Sequence, residues 1–384
     1  MKETSRRTLP AGLRCLCALL GLMAGVASAE PGVSATEIVL GQNITLQGGK
    51  NKYGVEVQAG ITVLLDDVNR AGGVNGRRLV LRTLDDENQG AKAEANARQL
   101  IDGGAFILFG PIEGGPSTAV MKVAAEKQVP LFGPMAGSPE LRRPHQPMVY
   151  PVRAEHREEF RTLVNYGAST GLKRIGFFHA DSDTGRKHLE NVKLAATETK
   201  TEVVLAVPFK SDIGDAQLDA VVTQIGEQRV EMMINHGSPS IYERLIRKAR
   251  AAGLRTTFLA VNSGSTQLAA ALGPLAQGMV FSQVVPNPWA RKTAITREYQ
   301  DAFRRALPDH EFSYGSLEGY LTAKALVASL RLAGAQPTRS SLTRALDGAT
   351  IDLGGVKLVF RAGNHIGSTF VDLAMVTREG KFLQ

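Results

Sequence analysis

After residue 29 this 384-residue chain has no cysteine; its only two, Cys15 and Cys17, lie in the N-terminal segment. Disulfides, thiolate metal sites and a cysteine nucleophile are thereby excluded from the remainder. Despite 40 glycines there is no G-x-G, and G-x-S-x-G, G-x-x-x-x-G-K-[ST] and H-E-x-x-H are missing too. A standard dinucleotide loop, phosphate loop, nucleophile elbow or zincin helix is therefore ruled out. No stretch beyond the N-terminal segment approaches the ~18 apolar residues of a membrane span. The histidines at 145, 156, 179, 188, 236, 310 and 365 show no i, i+4 pair. They read mostly as solvated surface groups, with no metal and no cofactor expected. Asp85-Asp86, at a strand end before a helix, reads as loop and cap residues.

What is present begins with Lys2, Arg6 and Arg7, an apolar run from Leu16 to Val26, and Ala27-Ser28-Ala29. This is the pattern of a signal peptide over residues 1–29, cleaved before Glu30 and pointing to export. Neither cysteine sits in a lipobox. The segment holds four basic residues and one acid, leaving 41 basic and 36 acidic residues, a net charge of +5. Without a basic run, that excess gives no footprint for nucleic acid. The length favours two lobes over one, since single cores stop growing near ~250–300 residues.

From Glu37 onward, β-branched or aromatic runs alternate with segments of helical period. Ile38–Ile44 reads as a strand, and Gly54–Ala71 as a helix with Val57, Ile61, Leu64, Leu65 and Val68 on one face. The rhythm pauses at Pro144, Pro147 and Pro151 and restarts with a strand at Arg174–Phe178. The fold class expected is α/β: two doubly wound parallel-sheet lobes joined by a multi-strand hinge. Two long helices, Lys292–Ala306 and Ser316–Ala333, then cover the first lobe, and Val356–Phe360 and Thr369–Val376 are β-like.

Several segments, taken in order, carry a resemblance. They are I-V-L-G-Q-N-I-T-L-Q-G (Ile38 to Gly48), Tyr53-Gly54, G-I-T-V-L-L-D-D-V-N-R-A-G-G-V-N-G-R-R-L (Gly60 to Leu79) and L-D-D-E-N (Leu84 to Asn88). A-F-I-L-F-G-P (Ala105 to Pro111), V-P-L-F-G-P (Val129 to Pro134), S-P-E-L (Ser138 to Leu141) and I-R-K-A-R-A-A-G-L (Ile246 to Leu254) follow. In this order and spacing the chain resembles the leucine/isoleucine/valine-binding-protein family, periplasmic solute receptors of ATP-driven importers with the type I periplasmic-binding fold. The resemblance implies crossings between lobes near Tyr150–Arg153, Phe281–Pro286 and Leu353–Val356. It divides the chain into lobe 1, residues 30–151 plus 283–353, and lobe 2, residues 152–282 plus 354–384. It also implies a small-molecule ligand, a membrane permease as partner and export to the periplasm; a monomer is expected, and, from the missing motifs, no catalytic residue.

The site positions depart from the family. Where amino-acid receptors of this family offer a serine hydroxyl to the ligand carboxylate, this chain has Gly114, between Glu113 and Gly115. The next loop has Met135 and Gly137 where a small residue and a threonine are usual, beside Ala136 and Ser138. In the second lobe, two tyrosines and an acid are matched by Thr184, Ser238 and Asn262, with Asp183, His236 and Ser263 alongside. Only the aromatic lid, Tyr53, is retained. Glu113 reads either as a cleft carboxylate or as an acid at the helix N-terminus; Asp183 also reads as a cap. A buried ammonium without a carboxylate partner costs several kcal/mol, so an ordinary α-amino acid is not the expected ligand. An apolar or aromatic acid, an amide or a lipid-like compound is. A ligand sensor signalling to a receptor kinase, and a cleft hydrolase, are the alternatives.

Overall fold

The computed structural model describes residue 1 and residues 30–383. Apart from Met1, the expected signal peptide lies outside the described residues. Five parallel strands form the first sheet: β1 (Glu37–Ile44), β2 (Arg78–Asp85), β3 (Ile107–Phe109), β4 (Leu131–Phe132) and β5 (Val149–Tyr150), in the order β2-β1-β3-β4-β5. Between them run α1 (Lys52–Arg70), α2 (Gly90–Asp102) and α3 (Gly114–Lys127). Side chains alternate along a strand, so Leu108 packs on one face with Val120 and Val123, and Ile107 and Phe109 on the other with Val57 and Ile61. Helices therefore cover both faces.

After β5 the chain crosses over and begins α4 (His156–Ser169). Then come β6 (Arg174–Ala180), α5 (Asp183–Thr199), β7 (Glu202–Phe209), α6 (Asp215–Glu227), β8 (Met232–His236), α7 (Pro239–Ala251), β9 (Thr257–Ala260), α8 (Ser265–Leu272) and β10 (Val280–Gln283). Their parallel order, β7-β6-β8-β9-β10, repeats that of the first sheet. In both sheets the order reverses beside the first strand of the lobe. Ligands of open α/β sheets bind outside the carboxyl ends of strands at such switch points.

The chain then returns to the first lobe with α9 (Ala294–Ala306) and α10 (Tyr314–Leu332). Helix α10 lies so close to α1 that a Cβ on Gly60 would sit 1.9 Å from the Ser316 carbonyl oxygen. Only glycine permits that approach. Next come α11 (Arg339–Leu346), β11 (Thr350–Asp352), β12 (Lys357–Arg361) and β13 (Asn364–Gly367), before β14 (Asp372–Val376) and β15 (Phe382–Leu383) join the second sheet antiparallel. The second sheet is thus mixed at one edge.

Two expectations are corrected. The crossing expected at Leu353–Val356 lies instead at about 368–371. Leu353, Val356, Leu358 and Phe360 are buried in one apolar cluster with Ile38, Phe132 and Tyr150, which keeps β11–β13 on the first lobe. The Ser368 N–H donates to the Val152 carbonyl at 3.0 Å, so this crossing runs beside the first. The second correction is α4, which lies where the sequence reading had only a break after the prolines.

Candidate functional site

Facing strand ends enclose a cleft of about 1370 Å³ between the lobes. The first-lobe wall is held by hydrogen bonds from backbone N–H groups to one carboxylate. Asp85 accepts from the N–H groups of Leu46 (2.9 Å), Gln47 (3.1 Å), Gly48 (3.0 Å) and Glu87 (2.9 Å), fixing the loop after β1. Burial opposes ionisation of this carboxyl, but those donors outweigh it and lower its pKa to about 2. Asn51 caps α1 by accepting from the Gly54 N–H at 3.0 Å. The buried Tyr53 follows, and its hydroxyl donates to Glu318 at 2.8 Å.

Glu113 precedes α3 at φ 65°, ψ 145°, and its side chain makes no cap bond. That backbone region is otherwise almost confined to glycine and costs of order 1–3 kcal/mol. The distortion brings a half-buried carboxyl group to the cleft. Burial first, and Asp86 to a lesser degree, push its pKa up against an opposing hydrogen bond from Asn51.

The second-lobe wall comprises the N-termini of α5 and α7 and the end of β8. Ser182 and Ser238 cap those helices, accepting from the N–H groups of Gly185 (3.0 Å) and Ile241 (3.4 Å). His236 lies between them, and His156, from the first turn of α4, reaches the cleft beside it. The lobes also touch across the cleft: Glu140 accepts from Thr184 Oγ1 at 3.1 Å and from Lys187 Nζ at 2.9 Å.

Beneath the cleft is a buried ionic network. Arg153, on the first crossing, pairs with Glu159 of α4 and donates to Asn262 Oδ1 at 3.0 Å. Glu159 also accepts from Ser282 Oγ at 2.6 Å and the Asn262 N–H at 3.1 Å, and bonds His156 Nδ1 at 2.8 Å. Burial alone would raise the Glu159 pKa, but Arg153, His156 and Ser282 hold it well below the ordinary carboxylate range. Glu318 of α10 lies 3.8 Å from Arg153 and accepts from Tyr53 and Asn262. In its case burial prevails over Arg153, and the pKa is raised. Residues of both lobes and the first two crossings meet in this network.

The sequence profile described as "Periplasmic binding protein" matches residues 37–381. The chain belongs to the periplasmic binding protein family. Among its relatives is the Leu/Ile/Val-binding protein homolog 3 of Brucella melitensis, 23% identical, with 88% of this chain and 90% of that protein covered. A Rhodopirellula baltica structure described as a possible leucine/isoleucine/valine-binding protein superposes with a TM-score of 0.83. It is 26% identical, covering 92% of this chain and 97% of the other. A fatty acid ABC transporter substrate-binding protein from Thermomonospora curvata has a TM-score of 0.81 at 19% identity, with 92% of each chain covered. The two-lobed α/β architecture is the type I periplasmic binding fold, and the relatives are binding proteins.

In this periplasmic binding protein, Tyr53, Glu113, Gly114, Gly115, Met135, Ala136, Ser138, Asp183, Thr184, His236, Ser238 and Ser263 all border the cleft. Gly137 and Asn262 do not. Gly137 packs against His156, whose ring a Cβ there would meet at 2.6 Å. The Asn262 amide is taken up by Arg153 and Glu318. Asp183 projects outward, 87% exposed, in an ion pair with Arg186. The histidine reading is also corrected. His156, His179, His188 and His365 are buried, and His156, His188 and His236 form a cluster able to hold a metal ion. Spacing along one helix could not reveal it, because the three come from α4, α5 and β8. The sequence reading also missed Glu159, although Phe160, Leu163, Val164 and Gly167 after Glu155 carry the i, i+3, i+4, i+7 pattern of a helix.

Proposed function

We propose that this solute receptor closes on an acid with a substantial apolar part and delivers it to the permease of an ATP-driven importer. The charge balance of the cleft carries the reading. Among the described residues Lys50, Lys52 and Lys122 border it without ion-pair partners. Of its acids, Glu94, Glu140 and Asp183 are paired with Arg98, Lys187 and Arg186, which leaves Glu113. Unpaired lysines at a cleft mouth draw in anions, and capped helix N-termini favour a carboxylate. With its pKa raised, Glu113 suits donation to a ligand oxygen better than charge pairing with an ammonium. Met135, Ala136, Val261 and Tyr53 supply the apolar lining. The cleft of about 1370 Å³ has room for a ligand larger than valine. The fold shared with a fatty acid receptor is compatible with this class.

Native mass spectrometry of the periplasmic protein should find a co-purified acid, and that acid should compact the protein in small-angle scattering, because a ligand touching both lobes favours the closed form. Catalytic turnover of a bound ester or amide would contradict a purely binding role. An unchanged radius at saturation would contradict lobe closure.

A further inference from the structure

Three imidazoles meet at the second-lobe edge of the cleft. His156 is in the first turn of α4, His188 on α5 and His236 at the end of β8. Ring centroids are 4.6 Å apart for His156–His236, 5.2 Å for His156–His188 and 4.1 Å for His188–His236. One ring nitrogen from each lies within 4.8 Å of the others.

The hydrogen bonding around them is lopsided. His156 Nδ1 faces Glu159 at 2.8 Å, leaving Nε2 for the cluster. His188 is fully buried, yet neither of its nitrogens has a hydrogen-bond partner among the described residues. His236 Nδ1 is buried and unpartnered in the same way. Neutral imidazole carries one donor and one acceptor, and buried groups of that kind are ordinarily paired. An apolar side chain would fill the His188 position without leaving polar atoms unsatisfied. Phe160 packs against all three rings and walls off one side. His156 and His236 keep the other side open to the cleft.

We propose that His156, His188 and His236 bind a divalent zinc-class ion, with a fourth coordination position facing the cleft. Imidazole suits zinc, copper and nickel, and three protein ligands plus one exchangeable position is an established zinc arrangement. Glu159 supplies the outer partner that fixes the tautomer of a ligating histidine. Zn–N bonds of about 2.0–2.1 Å require the nitrogens to draw together by roughly an ångström, within reach of ring rotation. Glu159 offsets only part of the ion's charge, and Arg153 and Arg142 lie nearby. An anion is therefore the fitting fourth ligand, and the acid end of the solute can supply it. That last step rests on the receptor reading; metal binding itself does not.

The test is calorimetric titration of the full protein, treated with chelator and then dialysed, with zinc chloride and no organic solute. One equivalent should bind with a micromolar or tighter Kd, and cobalt(II) should give the visible absorption of a tetrahedral site. His188→Ala should weaken zinc by more than the roughly 10–100-fold typical of losing an outer partner. The half-buried His236→Ala should do the same, and it keeps the test valid if the His188 variant does not fold. Absence of a saturable single equivalent, or affinity unchanged in a folded His236→Ala, would overturn the metal site while leaving the receptor reading intact. Solute binding that tightens with zinc would join the two; solute binding indifferent to zinc would overturn the fourth-ligand step.

Discussion

The two walls of the cleft are built in different ways. The first-lobe wall is tied by one side chain at the ends of two adjacent strands: Asp85, at the end of β2, accepts from the N–H groups of Leu46, Gln47 and Gly48 after β1 and from that of Glu87. The second-lobe wall stands on a buried charge. Glu159 joins Arg153, His156, Ser282 and Asn262, drawn from segments up to 123 residues away. A wall held by partly exposed loop N–H groups tolerates solvent and change, whereas a wall founded on a buried ion depends on every partner. The contrast makes the second lobe and the crossings the sensitive half of the hinge.

The largest expected effect is at Glu159. Glu159→Gln leaves Arg153 without its close partner and should cost about 3–5 kcal/mol in urea unfolding. Glu318→Gln, in the same network, should cost less than Glu159→Gln, because burial disfavours the Glu318 charge. Because burial raises the Glu318 pKa, its charged form is the disfavoured one. The wild type should therefore lose ground to Glu318→Gln as pH rises through that folded-state pKa. Equal losses in the two variants would show that the network does not distinguish its carboxylates.

On the first-lobe wall, Asp85→Asn should cost about 1–2 kcal/mol, allowing for solvent screening. The pKa of Asp85 is depressed to about 2, so its contribution is complete above the unfolded carboxyl value and fades as pH falls towards 2. The difference between wild type and variant in melts from pH 6 down to pH 2.5 should shrink accordingly; a constant difference would sever the loop from that carboxylate.

Glu113→Gly tests whether stability is given up for a site. Removing a side chain from φ 65° should stabilise the unliganded protein by about 1 kcal/mol, while weakening the native ligand in calorimetry. A variant that neither gains stability nor loses affinity would make Glu113 incidental. Smallest of all is Glu140→Gln, which removes the ionic contact with Lys187 across the cleft. It should change stability by less than about 1 kcal/mol, and scattering should shift slightly towards the open form.

What the sequence could reveal depended on whether a feature lies within one segment or arises where several meet. The βα rhythm, the glycine-rich loop after β3 and Tyr53 at the cleft lie in contiguous segments whose period and turn residues can be read directly. Helix α4 follows a proline cluster, and the expectation of a break there hid both His156 and Glu159. The histidine cluster and the Arg153 network exist only once α4, α5, β8 and α10 converge, and residue spacing carries no trace of that. Asn262, matched by resemblance to a ligand-binding acid, instead became a structural amide, because Arg153 and Glu318 claim both ends of it. The β11–β13 strands went to the first lobe because the burial of Leu353, Val356, Leu358 and Phe360 outweighs their place in the chain.

The central claim is that the charge chemistry of this cleft selects an acid over a zwitterionic branched-chain amino acid. Calorimetry of the purified protein with leucine, isoleucine and valine, beside aromatic and fatty acids, tests it most directly. Loss of a buried ammonium partner costs roughly 3–5 kcal/mol, which moves a micromolar Kd towards millimolar. The account predicts Kd values near millimolar or weaker for all three amino acids and micromolar or tighter binding for at least one acid of the panel; a submicromolar Kd for leucine, isoleucine or valine would contradict it.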